Sequence, residues 1–190
     1  MNEIVYPLLA HFEDAIKNDI RARDLVFELC AKDYAVKYIK RWHSRLPNIG
    51  SGPMQFAFHG HQGGKTYVVA LLSNPVARTL PSHWIELRRM ACAPDAPRNT
   101  ASRFLGWMLQ YFIKHYAERE RLISYQDTAV HQGTIYKAAG WYPAHTSVAR
   151  TRDRSTKRVG TNRLYRSNIN GSEVDSSPKI RWEKSFKKQS

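Results

Sequence analysis

The stretch from Ser124 to Tyr142, SYQDTAVHQGTIYKAAGWY, constrains the fold more than any other part of this chain. Leu122, Ile123 and Tyr125 give the apolar, β-branched and aromatic side chains that a buried strand favours. Asp127 and Thr128 then break the strand and are able to cap the next helix. The spacing predicts that helix as a short one from about Val130 to Ala139, packing through Val130, Ile135 and Ala138. Gly140 closes it where a positive φ is wanted, and Trp141-Tyr142-Pro143 starts another extended segment. This strand–helix–strand step gathers Ser124, Tyr125, Asp127, His131 and Tyr136 into one mostly apolar unit. Such a density of hydroxyl and titratable groups marks a candidate functional site.

From the N-terminus, Ile4, Leu8, Phe12, Ile16 and Ile20 predict an amphipathic helix near residues 2–21. Residues 25–31 read as a buried strand. Asp33 is placed to cap a helix running to about Ser44, with Tyr34, Tyr38 and Trp42 near one face, stopped before Pro47. Met54–His59 and Lys65–Ser73 form a hairpin across GHQGG. His59 and His61 share one strand face there, beside a hairpin turn where side chains are usually solvated. Residues 74–82 read as a loop. His83–Cys92 is a strand on which Arg88 and Arg89 are expected to point to opposite faces. A long helix from about Thr100 to Glu118 buries Phe104, Met108, Tyr111, Phe112 and His115, capped by Asn99 or Thr100. Residues 144–178 are polar and basic and read as loop or disorder. Ile180, Trp182 and Phe186 then alternate with charged residues and suggest a final strand. The order predicts an α/β fold with a mixed central sheet flanked by helices.

Charge narrows the partners. Thirty Lys and Arg against sixteen Asp and Glu give a net +14. Residues 144–190 hold twelve basic and four acidic side chains, a net of +8 in a quarter of the chain. A basic tail with Tyr165 and Trp182 between the charges suits a polyanion, most simply double-stranded DNA or RNA. A solvated tail serving solubility is the plainer alternative. No apolar run reaches the length of a membrane span, and the start MNEIVYPLLAHFEDA carries acids. The expectation is a soluble cytoplasmic protein with no membrane partner. Cys30 and Cys92 are the only cysteines, which argues against a disulfide framework or a cysteine zinc site.

Two resemblances appear at this point. Over about residues 25–145 the element order looks like that of the GNAT acyltransferases, and YKAAGW is similar to their Tyr-x-x-x-Gly-Phe segment. That resemblance implies a coenzyme A thioester or another acyl donor, and it makes Tyr136 the group that protonates the departing thiolate. The chain resembles more narrowly the Mom family of phage DNA-modification proteins. The matching pieces are RWHSRLPNIGSGPMQF, NPVAR, ELRRMACAPDAPRNTAS, SYQDTAVHQGTIYKAAGW and KIRWEK, which span most of the chain from Tyr38 onward. Resemblance to Mom implies a GNAT-like fold that adds a carbamoylmethyl group to the exocyclic amine of adenine in DNA, with iron as a proposed cofactor. The organisation expected is an N-terminal helix over 1–24, a GNAT-like catalytic domain over 25–149, and a basic extension over 150–190 carrying the possible final strand. One departure stands out: the segment that would cradle donor phosphates reads PRNTAS, without the usual glycines.

Each singled-out residue has a plain role beside a functional one. Asp127 either caps the next helix or accepts a proton from the adenine amine. Tyr125, on the same strand face, either packs in the core or stacks on a flipped base. Ser124 and His131 complete the catalytic set on that stretch, with His43 matched from the Mom motif. His43, Asp127 and His131 would also make a two-histidine, one-carboxylate metal set. Arg89 on a central strand needs either a buried acid near Glu86 or an anionic ligand. Arg98, Asn99, Thr100 and Ser102 either cap the long helix or bind donor phosphate at its start. Arg45, Arg152, Arg154, Lys157, Arg158, Arg163, Lys179 and Arg181 are the expected DNA contacts. Two other functions stay open: an N-acetyltransferase using acetyl-CoA on a protein or small-molecule amine, and a non-catalytic DNA-binding protein on the same scaffold.

Overall fold

A computed structural model of the protein describes residues 20–43, 54–149 and 177–187. The expected N-terminal helix up to residue 19 lies outside the described residues, as do Arg45, Arg152, Arg154, Lys157, Arg158 and Arg163.

The sheet grows from its most apolar segment. Strand β3 (Lys65–Ser73) is buried at every position after Lys65, so both of its faces are covered. It turns back on β2 (Phe56–Gln62) through Gly63 and Gly64, at φ 56° and 76°. A two-residue turn with both positions at positive φ matches the twist of the flanking strands. Strands β1 (Val26–Leu29) and β4 (Ile85–Cys92) extend the antiparallel pairing on either side. Helix α1 (Lys32–Trp42) comes after β1, and α2 (Thr100–His115) carries the chain across to β5 (Arg121–Asp127), which pairs with β4 in parallel. A short helix α3 (Thr134–Ala138) leads to β6 (Tyr142–Ser147). Strand β7 (Lys179–Ser185) then inserts between β5 and β6, giving the seven-stranded order β1-β2-β3-β4-β5-β7-β6. The final strand suggested by the sequence is therefore an interior one.

Two cores flank the sheet. Val68, Ala70, Leu72, Ile85, Leu87, Leu122 and Trp182 pack against Phe104, Leu105, Met108 and Phe112 of α2 and Tyr136 of α3. On the other face Ala57, Val69, Leu71 and Ala91 pack against Ala35 and Ile39 of α1. No helix among the described residues is long and apolar enough to cross a membrane.

The feature that positions a site is a split. Strands β4 and β5 pair only from Ile85–Leu122 to Leu87–Ser124, yet β4 continues to Cys92 and β5 to Asp127. The split coincides with an irregularity on the far side of β4, where the β3 partners jump from Leu71↔Arg89 to Leu72↔Leu87. Arg88 is the extra residue of this bulge, and a bulge bends its strand.

Several local expectations are corrected. The bulge cancels the alternation expected of Arg88 and Arg89. Arg88 Nε binds Glu86 Oε1 at 3.2 Å, while Arg89 stands opposite Leu71 on the α1 face that Glu86 shares. Asp33 lies in the first turn of α1, whose N-cap is Ala31. The long helix stops at His115, short of Glu118. The helix after β5 starts at Thr134, because the Asp127 carbonyl accepts the Val130 and His131 N–H groups and holds a separate turn there. His131 accordingly sits in a loop, not in a first helical turn. Residues 144–147, expected as loop, belong to β6.

Candidate active site at the split between β4 and β5

On the α2/α3 side, β5 presents Ser124 and Gln126 inward. Ser124 Oγ and Tyr136 OH lie 2.9 Å apart, both buried. The Tyr136 ring stacks on Trp182 of β7 at 5.4 Å between centroids and 14° between planes. Trp182 Nε1 donates to Gln126 Oε1 at 2.6 Å, and Gln126 Nε2 donates to the His131 carbonyl. Gly133 closes this floor at φ +73°, where a Cβ would come within 2.6 Å of both Gln126 Oε1 and Trp182 Cζ2. Only glycine fits both the backbone and the space. Burial pushes the Tyr136 phenol up, with the Ser124 contact opposing it, so the hydroxyl keeps its proton at neutral pH.

The α1 side of the same strands is charged. Glu183 of β7, 2% exposed, accepts from Arg181 Nε at 2.7 Å, from Tyr142 OH at 3.2 Å and from Arg121 Nη1. The Arg121 guanidinium lies over the Trp84 ring at 4.6 Å. Burial raises Glu86 while Arg88 opposes the rise, and its Oε2 accepts the Val76 N–H at 2.9 Å. Burial raises Tyr125, helped by Glu86 and opposed by Arg181. Arg89 Nη1 donates to the Arg88 carbonyl at 2.6 Å.

His43 is the C-cap of α1. Burial pushes its imidazole down to about 4, and the charges of Arg89 and His131 add to that. The fold thus brings together His43, Arg89 and His131 from three separate elements, with His43 neutral at physiological pH. Asp127 ends β5 on this side by strand alternation. Its Oδ1 accepts the Ala129 N–H at 3.1 Å and the Ser177 hydroxyl. The two parts of the site, Ser124–Tyr136 and Tyr125–Asp127, therefore stand on opposite faces of β5.

The start of α2 lies at the end of the loop after β4. Asn99 is its N-cap at φ 69°, and its side chain makes no capping bond. Thr100 Oγ1 donates to the Pro97 carbonyl at 2.6 Å and Ser102 Oγ to the Asn99 carbonyl at 3.1 Å. Both hydroxyls thus donate back to carbonyls of the preceding turn, and neither caps a helix N–H. The first i→i−4 bond of the helix is Arg103 N–H to Asn99, at 3.0 Å. The Ala101 and Ser102 N–H groups have no acceptor within the helix, and the neighbouring Arg98 is exposed.

The metal set drawn from His43, Asp127 and His131 is not assembled. Among the described residues, the group of three whose ligand atoms approach within 4.8 Å of one another is Glu28, His59 and His61. The local reason is that Asp127 Oδ1 is turned to Ala129 and Ser177. The residues at the split do not fit the iron that the resemblance implied. Burial pushes the Cys30 and Cys92 thiols up to about 11, which keeps both protonated at neutral pH.

Sequence reasoning pointed to a buried acid near Glu86 but missed Arg121, Gln126, Tyr142 and Glu183. The signal for Glu183 was available: in KIRWEK an acid sits two residues from Arg181, at an alternation that faces inward. Of the expected DNA contacts, Arg181 is held by Glu183, and Lys179 lies in register between Asp127 and Ser147.

Solved structures share this fold at low sequence identity. The ribosomal-protein-S18-alanine N-acetyltransferase from Escherichia coli superposes with a TM-score of 0.59 at 13% identity, over 87% of this chain and 96% of that one. A spermidine N-acetyltransferase from Vibrio cholerae, in complex with CoA and spermine, gives 0.57 at 8% identity over 86% and 96%. A Bacillus subtilis acetyltransferase in complex with CoA gives 0.52 at 12% identity over 85% and 98%. The fold is that of the GNAT acetyltransferases. No curated protein matches the sequence. The profile of the Mom protein family matches residues 24–189. This chain belongs to the Mom protein family.

Proposed function

We propose that this protein transfers a carbamoylmethyl group to the exocyclic amine of adenine in double-stranded phage DNA, protecting that DNA from host restriction. The observation that carries the reading is the Mom family match over residues 24–189; the split sheet and the basic composition support it. The adenine amine is a poor nucleophile because its lone pair is delocalised into the ring. As the new C–N bond forms, positive charge grows on that nitrogen and a proton must leave. Asp127 is the acceptor for it, and its bonds to Ala129 and Ser177 fix the carboxylate. Tyr125, on the same face, stacks on the extruded base. Neutral His43, with Arg89 and His131, lines the entrance on this side.

Where β4 and β5 part, a ligand in the gap meets both faces of the sheet. Tyr136 reaches it from the other face, its hydroxyl 2.9 Å from Ser124 Oγ. An acyl-CoA or another acyl donor fits the start of α2, where Arg98 and the Ala101 and Ser102 amides suit a phosphate. A coenzyme A thioester, if bound there, would be attacked at its carbonyl and would leave an acyl group on the amine with the thiolate departing; a carbamoylmethyl product instead requires a donor whose leaving group sits on the methylene carbon. The glycine-free segment PRNTAS does not prevent donor binding, because Asn99 itself takes the left-handed conformation usually reserved for glycine. A second reading, an N-acetyltransferase acting on a protein or small-molecule amine, draws on the solved structures. The net +14 disfavours it for polycationic substrates.

DNA prepared from cells expressing the protein should resist endonucleases whose sites contain adenine. Cleavage equal to that of control DNA would contradict the reading. The basic tail and Arg45 are assigned to phosphates. Replacing Arg152, Arg154, Lys157 and Arg158 with Ala should flatten the salt dependence of DNA binding, by about 0.9 in log–log slope per lost phosphate contact. An unchanged slope would return those four residues to solvated surface.

A further inference from the structure

The hairpin histidines, expected to be merely solvated, are assembled with a carboxylate. Glu28 of β1 stands directly opposite His59 of β2, with His61 two residues further along. His59 Nε2 and His61 Nε2 approach the same atom, Glu28 Oε1, at 3.2 and 3.0 Å. The two imidazoles lie 4.7 Å apart and 20° from parallel. All three ligand atoms fall within 4.8 Å of one another.

We propose that Glu28, His59 and His61 form a binding site for a divalent first-row metal ion of the zinc type, separate from the split between β4 and β5. Donors bound at roughly 2.0–2.2 Å to one ion lie about 3.0–3.5 Å apart along a coordination edge. The two N···O separations fall in that range, so an ion entering between these groups needs little rearrangement of them. Two imidazoles and one carboxylate select zinc, nickel, cobalt or ferrous iron over magnesium or calcium, which prefer all-oxygen shells. Three protein ligands leave at least one position for water or another donor.

The scaffold holds the donors in place. β2 lies between β1 and β3 and is paired along both edges. The edge of the Tyr34 ring rests on His59 at 5.3 Å and 77°, and Tyr34 OH is 2.5 Å from Thr66 Oγ1. The side chains of His59, His61 and Glu28 are 14%, 27% and 55% exposed, so an ion has an entry path from solvent. The site lies at the β1 end of the sheet, with β3 and β4 between it and β5. An ion there would clip the four-residue edge strand β1 to its neighbour and take no part in transfer chemistry.

The test uses the full chain, stripped with a chelator and titrated with Zn²⁺ alone, monitored by calorimetry and thermal unfolding. Saturable Zn²⁺ binding that raises Tm is expected. Glu28→Gln and His61→Ala should each weaken it at least about tenfold, since even the loss of a ligand's outer partner costs that much. Glu28 is exposed enough that its substitution leaves the fold intact, which circular dichroism verifies. His83→Ala removes a comparable surface pair, His83 Nε2 to Glu120 Oε2 at 3.1 Å, and should leave Zn²⁺ binding unchanged. Absence of saturable binding, or binding indifferent to Glu28→Gln and His61→Ala, would overturn the proposal.

Discussion

Asp127→Asn is expected to lower adenine modification about a hundred- to ten-thousand-fold, the usual cost of losing a positioned base. The substitution keeps the shape and removes the charge that accepts the amine proton. Its structural cost should be small. Asp127 Oδ1 takes its bonds from the Ala129 N–H and the Ser177 hydroxyl, and an amide oxygen accepts both equally well. Asn also holds such turns about as well as Asp. If Asp127 only held the 128–130 turn, the variant would retain near-normal activity. Modification rate, DNA affinity and Tm measured on one preparation separate the two. A folded, DNA-binding Asp127→Asn protein with full activity would remove Asp127 from the chemistry.

Glu183→Ala should destabilise the fold by about 3–5 kcal/mol, the cost of breaking a buried ion pair from one side. Glu183 is 2% exposed and answers Arg121, Arg181 and Tyr142 at once. Without it two guanidinium groups face each other across β5 and β7, and Arg121 is still packed over Trp84. At about 2–4 °C per kcal/mol for a chain of this size, Tm should fall by roughly 6–20 °C. Glu183→Gln keeps an acceptor and should lose less. A fall in Tm under about 2 °C for Glu183→Ala would mean that both arginines escape to solvent.

The legible parts of the fold are those marked by period and punctuation. The hairpin of β2 and β3 was readable because two glycines sit where the turn needs positive φ, between apolar runs. Gly140 was readable for the same reason, at φ 69°. Helix α2 was visible in its apolar spacing. The failures came where tertiary contacts overrode local pattern. Val130 to Gly133 has helical spacing, yet Asp127 and Gln126 tie the Ala129, Val130 and His131 backbone into a turn. The Arg88 bulge is invisible in ELRRMAC, because nothing in a strand's own sequence says where its neighbour will skip a residue. Strand β7 was read as an appendage, since only pairing across the sheet tells an interior strand from an edge.

The candidate site divides along the same line. Ser124, Tyr125, Asp127 and Tyr136 were legible because they share one short segment. The Glu183 cluster was not, because its members come from β5, β6 and β7. Among the described residues, His43, Asp127 and His131 do not converge as a metal set. His131 acts on His43 through its charge, and Asp127 turns to its own loop. The set that converges is Glu28, His59 and His61, joined only by the β1–β2 register.

The central claim is the transfer to adenine, and nucleoside mass spectrometry tests it most directly. DNA from cells expressing the protein is digested to nucleosides, with DNA from cells expressing Asp127→Asn as control. The account predicts a deoxyadenosine heavier by one carbamoylmethyl group, present with the wild-type chain and nearly absent with the variant. Unmodified deoxyadenosine from wild-type-expressing cells, with the protein soluble and bound to DNA, would contradict it.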